Sequence, residues 1–276
     1  MLKEMLENVR RNSPLIHNIT NYVTINDCAN ILLACGGSPI MADDPDEVEE
    51  ITTICAGLNI NIGKLDQRII PGMHRAGKRA NELGHSVVLD PVGAGASKLR
   101  TKTAMELIEN VQFTAIRGNI SEIKTLAFGK RTTRGVDADI TDAVTKENIS
   151  QIIAFAKEFS RKTKAVIIIT GMIDIVANEK TAYCIFNGHP MMSSITGTGC
   201  QLSSLIAAYL AVNKERPLEA AVAAVCAMGV CGEKAYQRMS ELDGNATYRN
   251  YIIDAVYNLR GDELERMARY EIYEEE

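Results

Sequence analysis

The chain has 276 residues, 46% of them hydrophobic, with a formal net charge of -5 and 30 Lys and Arg scattered along it; it is long enough to bury a large core, and without a clustered basic footprint nucleic acid is excluded as a partner. Its first residues are charged rather than signal-like, and no apolar run reaches the roughly 18 residues of a membrane span, so the expectation is a soluble, cytoplasmic protein with no membrane partner. Seven cysteines, an odd number with no CxxC pair, argue against a disulfide framework or a zinc site.

Residues 2–11 read as a short amphipathic helix broken at Ser13-Pro14. An irregular polar and apolar mixture follows over 15–23, then capping-box spacing from Thr24 to Asp27 and a helix ending at Gly36-Gly37. Residues 38–45 read as a connector, 47–55 as an acidic-start helix, and the alternation of 58–62 as a half-buried strand. A polar helix over about 65–83 ends at Gly84. Val87–Asp90 is a compact strand, 91–97 its loop, 101–110 a helix, and 113–117 a further strand before the turn Gly118-Asn119 and a helix from Ser121. The polar stretch 129–143 reads as a mobile surface loop or lid. A helix near 145–160 leads into the strand 165–171, then a hairpin of 173–177 with 181–186. After the turn 196–200 come a buried helix, an Ala-rich helix over 218–240 suited to close packing, a last helix near 248–259 and an acidic, solvated tail. Strands alternating with helices predict an α/β domain, single over 1–276, whose mostly parallel central sheet is covered on both faces.

Ligands of such sheets bind at the carboxyl ends of the strands. Asp90, Arg117 with Glu122 just beyond it, and Thr170 stand there. The turn Thr196-Gly197-Thr198-Gly199-Cys200 opens a buried helix, whose free amides and positive dipole end suit an anion such as phosphate. At that helix start the Cys200 thiol is expected to titrate below its ordinary value. Two carboxylates, an arginine and an anion-binding helix start are the equipment of phosphoryl transfer from a magnesium nucleotide: Asp90 and Glu122 near Mg²⁺, Arg117 on phosphate oxygens, the helix start on the transferring group.

The motifs Asp90-Pro-Val-Gly-Ala-Gly95, Arg117-Gly-Asn-Ile-Ser-Glu122 and Gly197-Thr-Gly-Cys200 resemble, in order and spacing, those of the hydroxyethylthiazole kinases of the ribokinase-like superfamily. His17–Thr24 and Gly37–Met41 also match, so the likeness covers about residues 14–235. The resemblance implies a three-layer αβα fold and ATP-dependent phosphorylation of the hydroxyl of 4-methyl-5-(2-hydroxyethyl)thiazole in thiamine biosynthesis or salvage. It also implies a homotrimer with active sites between subunits. Met41 and Gly197 would contact the thiazole, Arg117 and Thr170 the nucleotide, and Cys200 would lie beside the alcohol, where most of the superfamily carries an aspartate base.

Alternatives stand beside this. One is a ribokinase-like kinase or ATP-coupled dehydratase acting on another small molecule. Another is an acyl-transfer enzyme with Cys200 as nucleophile, which needs His17 or His189 beside it. A non-catalytic binder is the third.

Overall fold

The computed structural model describes residues 1–129 and 144–274; the expected lid over 129–143 therefore lies, Gly129 apart, outside the described residues. In chain order the elements are α1 (Leu2–Asn12), β1 (Leu15–Ile19), α2 (Ile25–Cys35), β2 (Ser38–Ile40), α3 (Val48–Ile54), β3 (Gly57–Asn61), α4 (Ile69–Glu82), β4 (Ser86–Asp90), α5 (Lys98–Asn110), β5 (Ala115–Asn119), α6 (Ile120–Phe128) and α7 (Ile149–Thr163). Then come β6 (Val166–Thr170), β7 (Asp174–Ala177), β8 (Thr181–Ile185), the 3-10 helix Pro190–Ser194, α8 (Thr198–Val212), α9 (Pro217–Arg238), α10 (Asn245–Asn258), α11 (Gly261–Met267) and β9 (Tyr270–Glu274).

The nine strands of the described residues form one sheet in the order β2-β1-β3-β4-β5-β6-β7-β8-β9. From β2 to β6 every pairing is parallel, and β7, β8 and β9 extend the sheet by antiparallel steps. The alternation of β6 shows why both faces are covered. Val166 and Ile168 join a core with α1, α2, α8, α9 and α10, whereas Ile167 and Ile169 join a second core with α4, α5, α6 and α7. Three layers, helix on sheet on helix, result.

Several sequence expectations change. The irregular stretch after Pro14 contains a true strand, β1, whose polar residues are buried and hydrogen bonded within the fold. The connector begins with β2, paired with β1 at the sheet edge. Thr24 precedes α2 without capping it through its side chain, so no capping box forms there; the box forms at Asn119 and Glu122 on α6. Asn59 and Asn61 face no solvent, because the sheet is covered on both sides. The tail is not a loose solvated end: β9 pairs with β8 over five residues. The close packing expected of the Ala-rich helix holds, since α9 is buried along most of its length.

Candidate active site

The chain reverses its winding direction beside β1, with β2 on one side and β3 on the other. Crossovers that leave in opposite directions open a crevice at the carboxyl ends of those strands. The start of α8 closes this crevice. It is shaped by Gly197, whose φ is 88° and where a Cβ would come within 2.3 Å of Thr24 Cγ2; only glycine fits such a backbone.

Strand periodicity then aims the site residues. Leu58 and Ile60, Leu89 and Ile116 point to the α4–α7 face. Their neighbours Asn61, Asp90 and Arg117 therefore point to the α8 face, each at or near a strand end. Asn61 and Asp90 stand opposite each other in register.

Asp90 is fully buried. Its Oδ2 accepts hydrogen bonds from Asn61 Nδ2 at 2.7 Å and Ser203 Oγ at 2.9 Å, while Oδ1 has no hydrogen-bond partner among the described residues. Burial raises its carboxyl above the usual range, against the pull of Arg117. Arg117 Nη1 lies 3.6 Å from that free Oδ1, and Nη2 donates to Thr170 Oγ1 at 2.6 Å. Its buried Nε has no acceptor among the described residues. The guanidinium rests on the first turn of α8, where a Cβ on Gly199 would come 2.3 Å from Nη1. A helix dipole disfavours a cation there. An anion arriving between them satisfies both, because amides, guanidinium and Nε all donate.

Cys200 Sγ receives the side-chain amides of Asn21 at 3.4 Å and Asn61 at 3.2 Å. Asn61 thus bridges thiol and carboxylate. Burial, and next the charge of Asp90, raise the Cys200 thiol above its ordinary value. The expectation from the helix start was the reverse; desolvation outweighs the dipole in this enclosed place. The resting group is a thiol.

Glu122 accepts from the amides of Gly93 at 2.8 Å and Asn119 at 2.9 Å. It closes the loop after β4 onto α6, and it is near enough for its charge to act on Asp90. Thr170 ends β6 and lines a cleft of about 360 Å³ with Asn119, Ile120, Ser121, Val144, Gly171 and Met172. Met41 follows β2 at the other end of the row. From β2 to β6 the row spans about 24 Å at the usual strand spacing. Asp90, Arg117, Thr170, Gly197 and Cys200 are thus joined by contacts directly or through one neighbour, whereas Met41 stands apart from them. Asn21, Asn61 and Ser203 escaped sequence reasoning; an asparagine inside an apolar strand looks like a solvent-facing residue until the helix above it is known.

The sequence pattern of the hydroxyethylthiazole kinase family matches residues 6–262. A hydroxyethylthiazole kinase of Clostridium acetobutylicum is 66% identical over 273 residues, 99% of this chain and 100% of the relative. The chain belongs to the hydroxyethylthiazole kinase family. A solved hydroxyethylthiazole kinase from Pyrococcus horikoshii superposes with TM-score 0.87 at 33% identity, covering 99% of each chain. A ribokinase-like superfamily protein from Enterococcus faecalis shares the fold alone, with TM-score 0.60 at 13% identity over 92% of this chain and 93% of that one.

For a member of the hydroxyethylthiazole kinase family the cysteine-nucleophile alternative has no geometry to rest on. His17 sits on the opposite face of the sheet, with one ring nitrogen 2.9 Å from Thr52 Oγ1 and the other 2.8 Å from the Ala42 carbonyl. His189 stacks on Tyr236 at 3.5 Å, and its Nδ1 accepts from the Met191 amide. Neither is placed to deprotonate Cys200. Among the described residues no group of three or more His, Cys, Asp and Glu could hold a metal ion by itself. No described helix is long and apolar enough to cross a membrane.

Proposed function

We propose that the chain transfers the γ-phosphoryl group of ATP to the hydroxyl of 4-methyl-5-(2-hydroxyethyl)thiazole, making the phosphate ester used in thiamine biosynthesis. The observation that carries this reading is the meeting of Arg117, Asp90 and the Gly197–Cys200 turn at one helix start, an anion site beside a polarised thiol.

In this reading ATP lies over β5 and β6. Its phosphates take the donors of Arg117 and the α8 amides, and the rest of the nucleotide lies toward the cleft beside Thr170. The thiazole occupies the crevice between Met41 and Gly197. The alcohol oxygen bonds to the γ-phosphorus as the bond to the ADP oxygen breaks, and the alcohol proton passes to an oxygen of the transferred phosphoryl group, because Cys200 rests as a thiol. Cys200 chiefly orients the hydroxyl, because a loose phosphoryl-transfer transition state needs little base assistance.

Magnesium fits the donor set. Among the described residues Asp90 Oδ1 lacks a hydrogen-bond partner, and each Glu122 oxygen, with one amide bond, keeps a second lone pair. Two carboxylates without a protein cage suit Mg²⁺ that keeps water and phosphate ligands; Asp90 and Glu122 would hold it, and it would neutralise phosphate charge. The single continuous sheet supports one domain over 1–276. The family resemblance supports a homotrimer with sites between subunits, and the use of ATP as co-substrate supports the cytoplasm.

ADP release from ATP and Mg²⁺ with a panel of small alcohols tests the substrate. Turnover confined to alcohols other than hydroxyethylthiazole overturns the reading. Turnover with hydroxyethylthiazole that is lost on chelating the magnesium supports it.

A further inference from the structure

We infer that His17 is a positioning residue for the thiazole pocket, acting through the connector that carries Met41. The inference rests on the reading of Met41 as a thiazole contact and names what holds it in place.

His17 has no exposed surface and lies on the β1 face turned to α3. A carbonyl can only accept, so the ring Nε2 carries the proton and donates to Ala42 O at 2.8 Å. The Nδ1 lone pair then accepts from the Thr52 hydroxyl at 2.9 Å. Burial pushes the imidazole pKa down to about 4, so this neutral tautomer persists at neutral pH.

The ring therefore ties three things together: the core strand β1, helix α3, and the backbone next to Met41. That backbone needs a tie, because β2 ends at Ile40 and residues 41–44 belong to no strand, helix or turn before the turn at 45–47 leads into α3. Further along, the connector is held from α4, where Arg75 Nη1 donates to the Pro45 carbonyl at 2.8 Å. His17 supplies the hold at the end nearest the substrate. It touches neither nucleotide-side residue, Arg117 or Thr170.

Steady-state kinetics of His17→Leu, His17→Gln and Thr52→Val, each alone and with Met41→Ala, test the inference. One lost buried hydrogen bond to a backbone group corresponds to about tenfold in affinity. His17→Leu is expected to raise KM for hydroxyethylthiazole by about that factor, with KM for ATP and kcat unchanged within twofold. Gln, which keeps a donor at the reach of Nε2, recovers most of the loss. Thr52→Val keeps the side-chain volume and is expected to shift the thiazole KM the same way by a smaller factor, which preserves the test if His17→Leu does not fold. In the Met41→Ala background neither change adds further. A parallel rise in both KM values, or a full additional effect in that background, overturns the inference alone. An unchanged thiazole KM in Met41→Ala itself overturns the Met41 reading and the inference with it.

Discussion

Gly199 and Cys200 lie side by side in the first turn of α8, and their substitutions separate binding from chemistry. The backbone at Gly199 is ordinary, but a Cβ there would press on the Arg117 guanidinium at 2.3 Å from Nη1. Gly199→Ala is therefore expected to leave the fold intact and to lower kcat/KM for ATP by about a hundredfold, the scale of a lost charged phosphate contact. An unchanged ATP dependence would remove Arg117 from the phosphate site. At Cys200 the comparison is Ala, Ser and Asp. Alanine is expected to cost about 10- to 100-fold in kcat, and aspartate to recover part of it, because a carboxylate also holds the hydroxyl and, unlike the resting thiol, can accept its proton. Equal kcat in all three would leave the residue no role beyond filling space. Arg117, Asp90 and Gly197 were legible in the sequence because strand ends and glycine turns carry their own signals. The raised thiol was not: it depends on the enclosure of Cys200 and on Asp90, brought from more than a hundred positions away.

Secondary elements were most legible where hydrophobic runs were pure, as in β4 and β6. They were least legible at the sheet edges and in β1, the strand next to one edge. β1 carries His17 and Asn18 in its middle, and its period is hidden because both faces are buried. β2 has three residues, too few for any period to show. β9 resembles a solvated tail because its outward residues are charged or exposed, as edge strands often are. Yet it covers β8 along five register pairs. Truncation before Tyr270 is expected to cost on the order of 2 kcal/mol, a few degrees in the thermal midpoint, and to promote aggregation through the bared β8 edge. The folded fraction should keep its kcat, since β9 lies three strands beyond β6. An unchanged midpoint would restore the solvated-tail reading.

For the whole molecule, the same His17 that ties the connector makes stability depend on pH. The unfolded imidazole binds its proton near 6.5 and the folded one only near 4. Stability is thus fully present above pH 6.5 and falls as pH drops toward 4, by on the order of 3 kcal/mol at about 1.4 kcal/mol per pH unit. Asp174, whose burial raises its carboxyl to about 6, binds a proton earlier folded than unfolded and offsets part of this loss. His17→Gln removes only the histidine's share, so its unfolding free energy should fall less steeply than the parent's between pH 6.5 and 4. Equal slopes would contradict a buried neutral His17. The arrangement of the molecule, a mostly parallel sheet whose strand ends run from Met41 to Thr170 with one helix start over the middle of the row, answers to a reaction that brings a small alcohol and a nucleoside triphosphate together. The most direct test is phosphorus NMR of the purified protein with ATP, Mg²⁺ and hydroxyethylthiazole. A new phosphomonoester signal coupled to the methylene beside the former hydroxyl, growing as ADP grows, is the expected result. Inorganic phosphate as the sole new signal, or no consumption of ATP, would contradict it.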